Sequence, residues 1–265
     1  MTHVNPDPNA EHLLVVKEQD ILFVTLNRPD HANSLNEQIM RELRFLWERS
    51  AHDEGLRSIV ITGAGSFFCA GADAAMLAAE RTTVGATAAE ELAFLPGDLV
   101  DIPVIVAVNG TCAGGGLHFV TDADIVIASE NASFLDPHVS IGQVSGIEPI
   151  ELMGVMRRDR VARMALLGKH EKLSAHDALE AGLVSEVVAH GNLLDRAREL
   201  AAQIASGSPE AIRHTRRVYR DYIKDQQREH LDRGWQAVQD HWAHPDSREG
   251  PNAYNEKREP RWSNP

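Results

Sequence analysis

Two stretches, Phe67-Phe68-Cys69-Ala70-Gly71-Ala72-Asp73 and Asn109-Gly110-Thr111-Cys112-Ala113-Gly114-Gly115-Gly116, decide how this chain is read. Apolar runs lead towards each of them, Ser58–Thr62 towards the first and Pro103–Val108 into the second. Both therefore read as strands that run out into a glycine-rich turn opening a helix. Glycine lets the backbone approach a ligand closely, and the first amides of a helix have no internal partner. Two such turns can aim one backbone N–H each at a single developing negative oxygen, the arrangement of an oxyanion hole.

Further motifs extend the pattern. Asn27-Arg28-Pro29, Asn33-Ser34-Leu35-Asn36 and Asp122-Ala123-Asp124-Ile125 flank the two turns in the order just given. With them the chain resembles the enoyl-CoA hydratase/isomerase (crotonase) superfamily from roughly Leu13 to Arg261. The resemblance implies an α/β fold, a crotonase-like ββα spiral with a C-terminal helical trimerisation region. It implies that the amides of Ala72 and Gly115 hold the thioester carbonyl of an acyl-CoA. It also implies a homotrimer or homohexamer.

The 265 residues suit one catalytic-size core, residues 1–190, followed by a helical region and tail, residues 191–265. An apolar share of 43% supplies a sizeable core, and the formal charge of −13 argues against nucleic acid or an anionic membrane surface as partner. Cys69 and Cys112 each sit inside a glycine motif and read as small buried residues of a reducing compartment rather than as catalytic thiols. Met1–Ala10 lacks a basic-then-apolar pattern, and no apolar run has the length of a membrane span, so a soluble cytoplasmic protein is expected.

Leu13–Lys17 and Ile21–Leu26 read as an opening hairpin. Leu35, Ile39, Leu43, Leu46 and Trp47 fall at helical spacing with Asn33 or Ser34 as N-cap. Strands at Ser58–Thr62, Val104–Asn109 and Ile125–Ala128 alternate with helices. Ala74–Leu95 reads as a mobile helical segment beside the site. After Pro149 helices are expected at Arg158–Leu167, Ala175–Ala181, Asn192–Ala205 and Pro209–Trp242, with a strand near Val184–Val188. Ala243–Pro265 reads as a tail, folded over the acyl-CoA site or disordered.

The chain departs from its relatives where the chemistry should be. Two glutamates hold a water in the hydratases it resembles; the matching positions are His118 and His138. A histidine on a buried helix face usually satisfies only a core hydrogen bond, but two at matched positions point to catalysis. Histidine starts near a pKa of about 6.5 and needs little tuning to act at neutrality. The helix N-terminus should keep His118 neutral, a base or acceptor. With His138 protonated the two would form a base–acid couple, although the sequence does not fix which histidine is base, and activity should fall below about pH 6. Such a pair can deliver water across an enoyl double bond. It can equally activate water against a carbonyl, as in superfamily hydrolases of β-diketones, which place an acid near position 147. That residue is Ile147; Glu148, one residue on, substitutes only with a shifted turn.

Arg28, Ala70, Gly114 and Glu148 complete the expected substrate-binding set. Asp30, Ala74 and Ala75 stand where the family often carries lysines, so phosphate contacts of CoA would come from elsewhere, with Lys257, Arg258 and Arg261 as candidates. No metal is expected, since no obvious motif adds a third ligand to His118 and His138, and no cofactor beyond the CoA of the substrate. The leading expectation is an enoyl-CoA hydratase-type lyase acting on an acyl-CoA or related small molecule. The alternatives are a hydrolase cleaving a C–C bond in a β-dicarbonyl compound and a member that has lost catalysis.

Overall fold

Continuous apolar runs such as Val104–Val108 belong to strands covered on both faces, and the chain builds a sheet of that kind. The structure, a computed structural model, describes residues 2–3, 11–73, 76, 87–97 and 99–263. Thr2–His3 (β1), Leu13–Glu18 (β2) and Ile21–Leu26 (β3) pair antiparallel. Ser58–Gly63 (β4) then runs parallel to β3, followed by Val104–Val108 (β6), Ile125–Ser129 (β8) and Glu186–Val188 (β11), in the order β1-β2-β3-β4-β6-β8-β11. A second sheet carries Phe67–Cys69 (β5), Thr111–Ala113 (β7), Ser133–Leu135 (β9) and Leu173–Ser174 (β10), in the order β10-β9-β7-β5. Each of β4, β6 and β8 in the first sheet is thus followed by a short strand, β5, β7 or β9, in the second. Repetition of that step makes the ββα spiral.

The alternation of side chains along each strand divides the core. Ile59, Ile61, Val104, Val106 and Val108 face the main cluster with Trp47 and Phe68. Val60, Ile105, Ala107 and Ile127 face Leu193, Ala197 and Ala201. The latter three lie on a helix at Leu193–Ala205. Cys69 and Cys112 are partners in the β5–β7 ladder, fully buried, and burial pushes the Cys69 thiol up to about 12. Both act as core residues.

The first helix (α1) is Glu37–Ser50, and its N-cap is Asn36, whose side chain accepts from the Ile39 N–H at 2.9 Å. This corrects the expected cap at Asn33 or Ser34 and removes Leu35 from the helix. Asn33 is engaged instead in tying loops together: its amide donates to the carbonyls of Ala64 and Phe67, both at 2.8 Å, and its oxygen accepts from the Arg28 N–H. Residues 74, 75 and 77–86, most of the expected mobile segment, lie outside the described residues. Ala88–Glu91 (α2) is a short helix closed by a Thr87/Glu90 capping box.

Leu117–Asp122 (α3) follows the triple glycine, and Glu148–Leu152 (α4) follows the loop after β9. Arg158–Leu167 (α5) and Ala175–Ala181 (α6) form as expected, and Leu193–Ala205 is α7. Pro209–His241 (α8) is anchored by buried charges, with the Arg216 Nε donating to Asp124 at 2.8 Å and Arg220 to Asp122 at 2.6 Å. The expected tail is folded: Asp246–Asn255 (α9) is helical, and Asp246 and the Trp262 ring pack against Gly142. Among the described residues no helix is long and apolar enough to cross a membrane.

Candidate active site

Leu35 forms a parallel bridge to Ala72, its N–H donating to Gly71 O and its carbonyl accepting from Asp73 N, both at 2.8 Å. Those bonds flank Ala72, so its own N–H points away from Leu35. Gly71 holds φ +88°, and a Cβ there would lie 2.9 Å from Ala113 O and 3.0 Å from Gly115 N. Only glycine lets the two turns touch in this way. Gly115 sits in the first turn ahead of α3, where no side chain caps the helix and amide hydrogens lack intrahelical partners. A Cβ on Gly115 would come within 3.7 Å of Ala72 N. The two amides therefore flank one small space, and both line a cavity of about 90 Å³ that also contains His118, His138 and Glu148.

The polar wall of that cavity is a chain of alternating charges. His118 Nδ1 lies 2.6 Å from Glu151 Oε2, and its Nε2 lies 3.2 Å from Glu148 Oε1. The same Glu148 oxygen is 3.6 Å from His138 Nε2, while His138 Nδ1 is 2.6 Å from Asp136 Oδ1. Thr121 donates to Glu151 at 2.9 Å, and Ser145 donates to the second oxygen of Asp136. Glu148 thus bridges the two imidazoles, and each imidazole is backed by its own carboxylate.

These contacts decide protonation. Burial disfavours charge on His138, but the Glu148 carboxylate and the hydrogen bond and charge of Asp136 outweigh it and raise the pKa to about 9. Burial likewise opposes charge on His118, and the carboxylates of Glu151 and Glu148 carry it well above the ordinary imidazole value. Burial would raise Glu148, yet the two imidazolium charges hold it well below the usual carboxylate range. The expectation of a neutral His118 is corrected. Its Nδ1 and Nε2 both meet carboxylates, and those outweigh a helix dipole worth about 1 kcal/mol.

Among the expected residues, Ala72, Gly115, His118, His138 and Glu148 come together around the cavity. Gly114 backs the site, with the His138 Cε1 3.5 Å from where its Cβ would stand. Ala70 donates its N–H to Ala32 O at 3.1 Å. Arg28 lies apart: its guanidinium is buried and bonds Ser34 and Asp73, holding the loop that presents Ala72. Arg258 pairs with Glu249 and Glu256 within the tail. Position 147 proves no obstacle, because the α4 start turns Glu148 directly into the site.

Sequence reasoning passed over Asp136, Glu151 and Trp235. Asp136 stands beside the proline that marked His138. Glu151 follows Glu148 by three residues, which places both on one helix face. Asp136, His138 and Glu148 also offer ligand atoms within 4.8 Å of one another, a grouping that leaves out His118. Their donor and acceptor atoms pair with each other and with Ser145, which organises them for acid–base work.

A sequence model described as enoyl-CoA hydratase/isomerase matches residues 16–265. The chain is 38% identical over 266 residues to the mevalonyl-coenzyme A hydratase sidH of Aspergillus fumigatus, covering 91% of each protein. It is 33% identical to the carnitinyl-CoA dehydratase of Escherichia coli, covering 96% of this chain and 98% of that protein. Its fold superposes on a crystal structure of carnitinyl-CoA hydratase from Mycobacterium avium with a TM-score of 0.85 at 31% identity, over 96% of this chain and 99% of that one. The chain belongs to the enoyl-CoA hydratase/isomerase (crotonase) family.

Proposed function

We propose that this enzyme is a hydro-lyase that adds water across, or removes it from, the α,β double bond of an acyl-CoA thioester. The observation that carries the reading is Glu148 Oε1 lying between His118 Nε2 and His138 Nε2, beside the same cavity as the Ala72 and Gly115 amides. The two amides hold the thioester oxygen as negative charge develops on it. Glu148, kept ionised, takes a proton from water as the water oxygen bonds to the β-carbon. The π electrons move to the thioester oxygen as an enolate. The enolate collapses as the His138 imidazolium donates its proton to the α-carbon, and the proton on Glu148 passes to an imidazole it already contacts. One water has then been added, and both groups have regained their starting charge.

The named relatives act on CoA thioesters, by their names a mevalonyl-CoA hydratase and a carnitinyl-CoA dehydratase, which supports a thioester here. Hydrolysis of a C–C bond in a β-dicarbonyl compound is a second reading. The Glu148–His138 approach of 3.6 Å favours it, because that is the histidine–acid pair the sequence placed one residue out of position. A homotrimer or homohexamer is part of the proposal, supported by the exposed apolar side chains Leu166, Val218, Tyr222 and Tyr254.

Thermal-shift titration with crotonyl-CoA, a longer enoyl-CoA and free CoA, followed by an assay for reversible loss of enoyl absorbance, tests the reading. A ligand that binds only the native state raises the melting temperature by mass action. Stabilisation by enoyl-CoA with reversible hydration is the expected result. Irreversible formation of two fragments from a β-dicarbonyl compound, with no response to any thioester, would replace hydration by the second reading.

A further inference from the structure

The far end of the cavity is built by the long helix α8. Its backbone meets the loop before α4 at two glycines: a Cβ on Gly146 would lie 2.4 Å from Gly234 O, and one on Gly234 2.0 Å from Gly146 O. No larger residue permits that approach, and it brings the next residue, Trp235, and Val238 on the following turn into the cavity wall. Trp235 is 5% exposed, clusters with Ala88 and Ile147, and meets Trp242 edge to face at 5.5 Å. Leu35, Met40, Leu92, Phe94 and Val144 are among the other apolar residues of the lining. Phe94 is itself held edge-on to His118 and Phe119.

Volume and charge then restrict the occupant. The cavity holds about 90 Å³, whereas a dry engineered cavity that admits benzene, six carbons, measures about 150 Å³. By that scale roughly four carbons fit, counting the thioester carbonyl carbon at the Ala72 and Gly115 amides. Among the described lining residues the charged side chains are Glu91, His118, His138 and Glu148. The two imidazoles already face Glu148, Glu151 and Asp136, which leaves no unmatched cation there for a second carboxylate. Resting on the hydro-lyase reading for the position of the carbonyl, we propose that the Trp235–Val238 wall restricts this enzyme to acyl groups of about four carbons that carry no second carboxylate.

Saturated thioesters test this without turnover, because they offer no double bond to hydrate. Isothermal titration calorimetry of the full chain with butyryl-CoA, octanoyl-CoA and succinyl-CoA should show butyryl-CoA bound tightest, by about tenfold or more, the scale on which a pocket discriminates added methylenes. Trp235→Leu and, independently, Val238→Ala should move the ratio towards octanoyl-CoA. Octanoyl-CoA or succinyl-CoA binding wild type as tightly as butyryl-CoA would overturn the proposal. An unchanged ratio in both folded variants would overturn it as well. If butyryl-CoA is preferred but crotonyl-CoA is never hydrated, the hydro-lyase reading fails while the size limit stands.

Discussion

Replacing Glu148 with glutamine removes one charge from the centre of the site and leaves its shape. At 3.6 Å and an effective dielectric of about 20, the Glu148–His138 attraction amounts to ~4–5 kcal/mol, or about three pKa units. His138 stands at about 9 with the carboxylate present, and burial alone pulls it down. In Glu148→Gln its pKa should therefore return to 6.5 or below. The sign for wild type follows. His138 is raised, so its acid form, and the stability it lends the fold, are complete below 6.5 and disappear as the pH rises through about 9. Glu148 is depressed, so the base is ionised through the mildly acidic range, and its contribution is lost only as the pH falls through that lowered value. Wild-type kcat/KM, followed by loss of enoyl-thioester absorbance, should stay flat through pH 6 and decline above about 9, the reverse of what a free histidine base would give. Glu148→Gln should lower kcat by ~10²–10⁴-fold through loss of the base and move the alkaline decline towards neutrality. NMR titration of the histidine ring signals gives the same pKa independently. Wild-type activity that falls through pH 6, or a glutamine variant within threefold of wild type, would refute the charge assignment.

Two other substitutions probe different parts of the argument. A Cβ on Gly115 meets Leu35 Cδ1 at 3.4 Å, ordinary contact, yet stands 3.7 Å from Ala72 N in the space the two amides share. Gly115→Ala keeps the backbone N–H but puts a methyl into that space. It should fold with an unchanged melting temperature and lose ~10²–10³ in kcat by displacing the oxygen from its donors, the scale of losing one such donor; near-normal kcat would show that the oxygen does not sit between these amides. Arg216→Met removes the nearer guanidinium from the buried Asp124 carboxylate, leaving Arg220 at 4.0 Å and the Val104 N–H and Tyr219 hydroxyl as donors. It should cost ~3 kcal/mol in denaturant unfolding, the low end for breaking a buried pair, and Asp124→Leu in the same chain should restore part of the loss.

The elements that were readable from the sequence are those whose pattern is local. Arg158–Leu167 and Ala175–Ala181 were legible from their apolar spacing, and Val104–Val108 from an apolar run between Pro103 and Asn109. The α1 start was misplaced because Asn33 and Ser34 look like good caps in isolation. Their side chains are claimed by Ala64, Phe67, Arg28 and Asp73, partners as far as 39 residues away. The tail stayed open between folded and disordered for a similar reason: nothing local in a charged stretch with prolines at 245, 251 and 260 chooses between them, and the surface that Asp246 and Trp262 cover is offered by the distant Gly142.

By itself the sequence determined the fold, the two facing amides and the identity of the two histidines, because glycine turns and buried strands depend on backbone geometry that neighbouring residues impose. Only the tertiary structure decided the charge on those histidines. A pKa is set by what lies within a few ångströms, and Glu148, Glu151 and Asp136 reach the imidazoles from three different segments of the chain. The size of the acyl cavity was likewise settled in three dimensions, where Gly146 and Gly234, 88 positions apart, let a distant helix press Trp235 into the site.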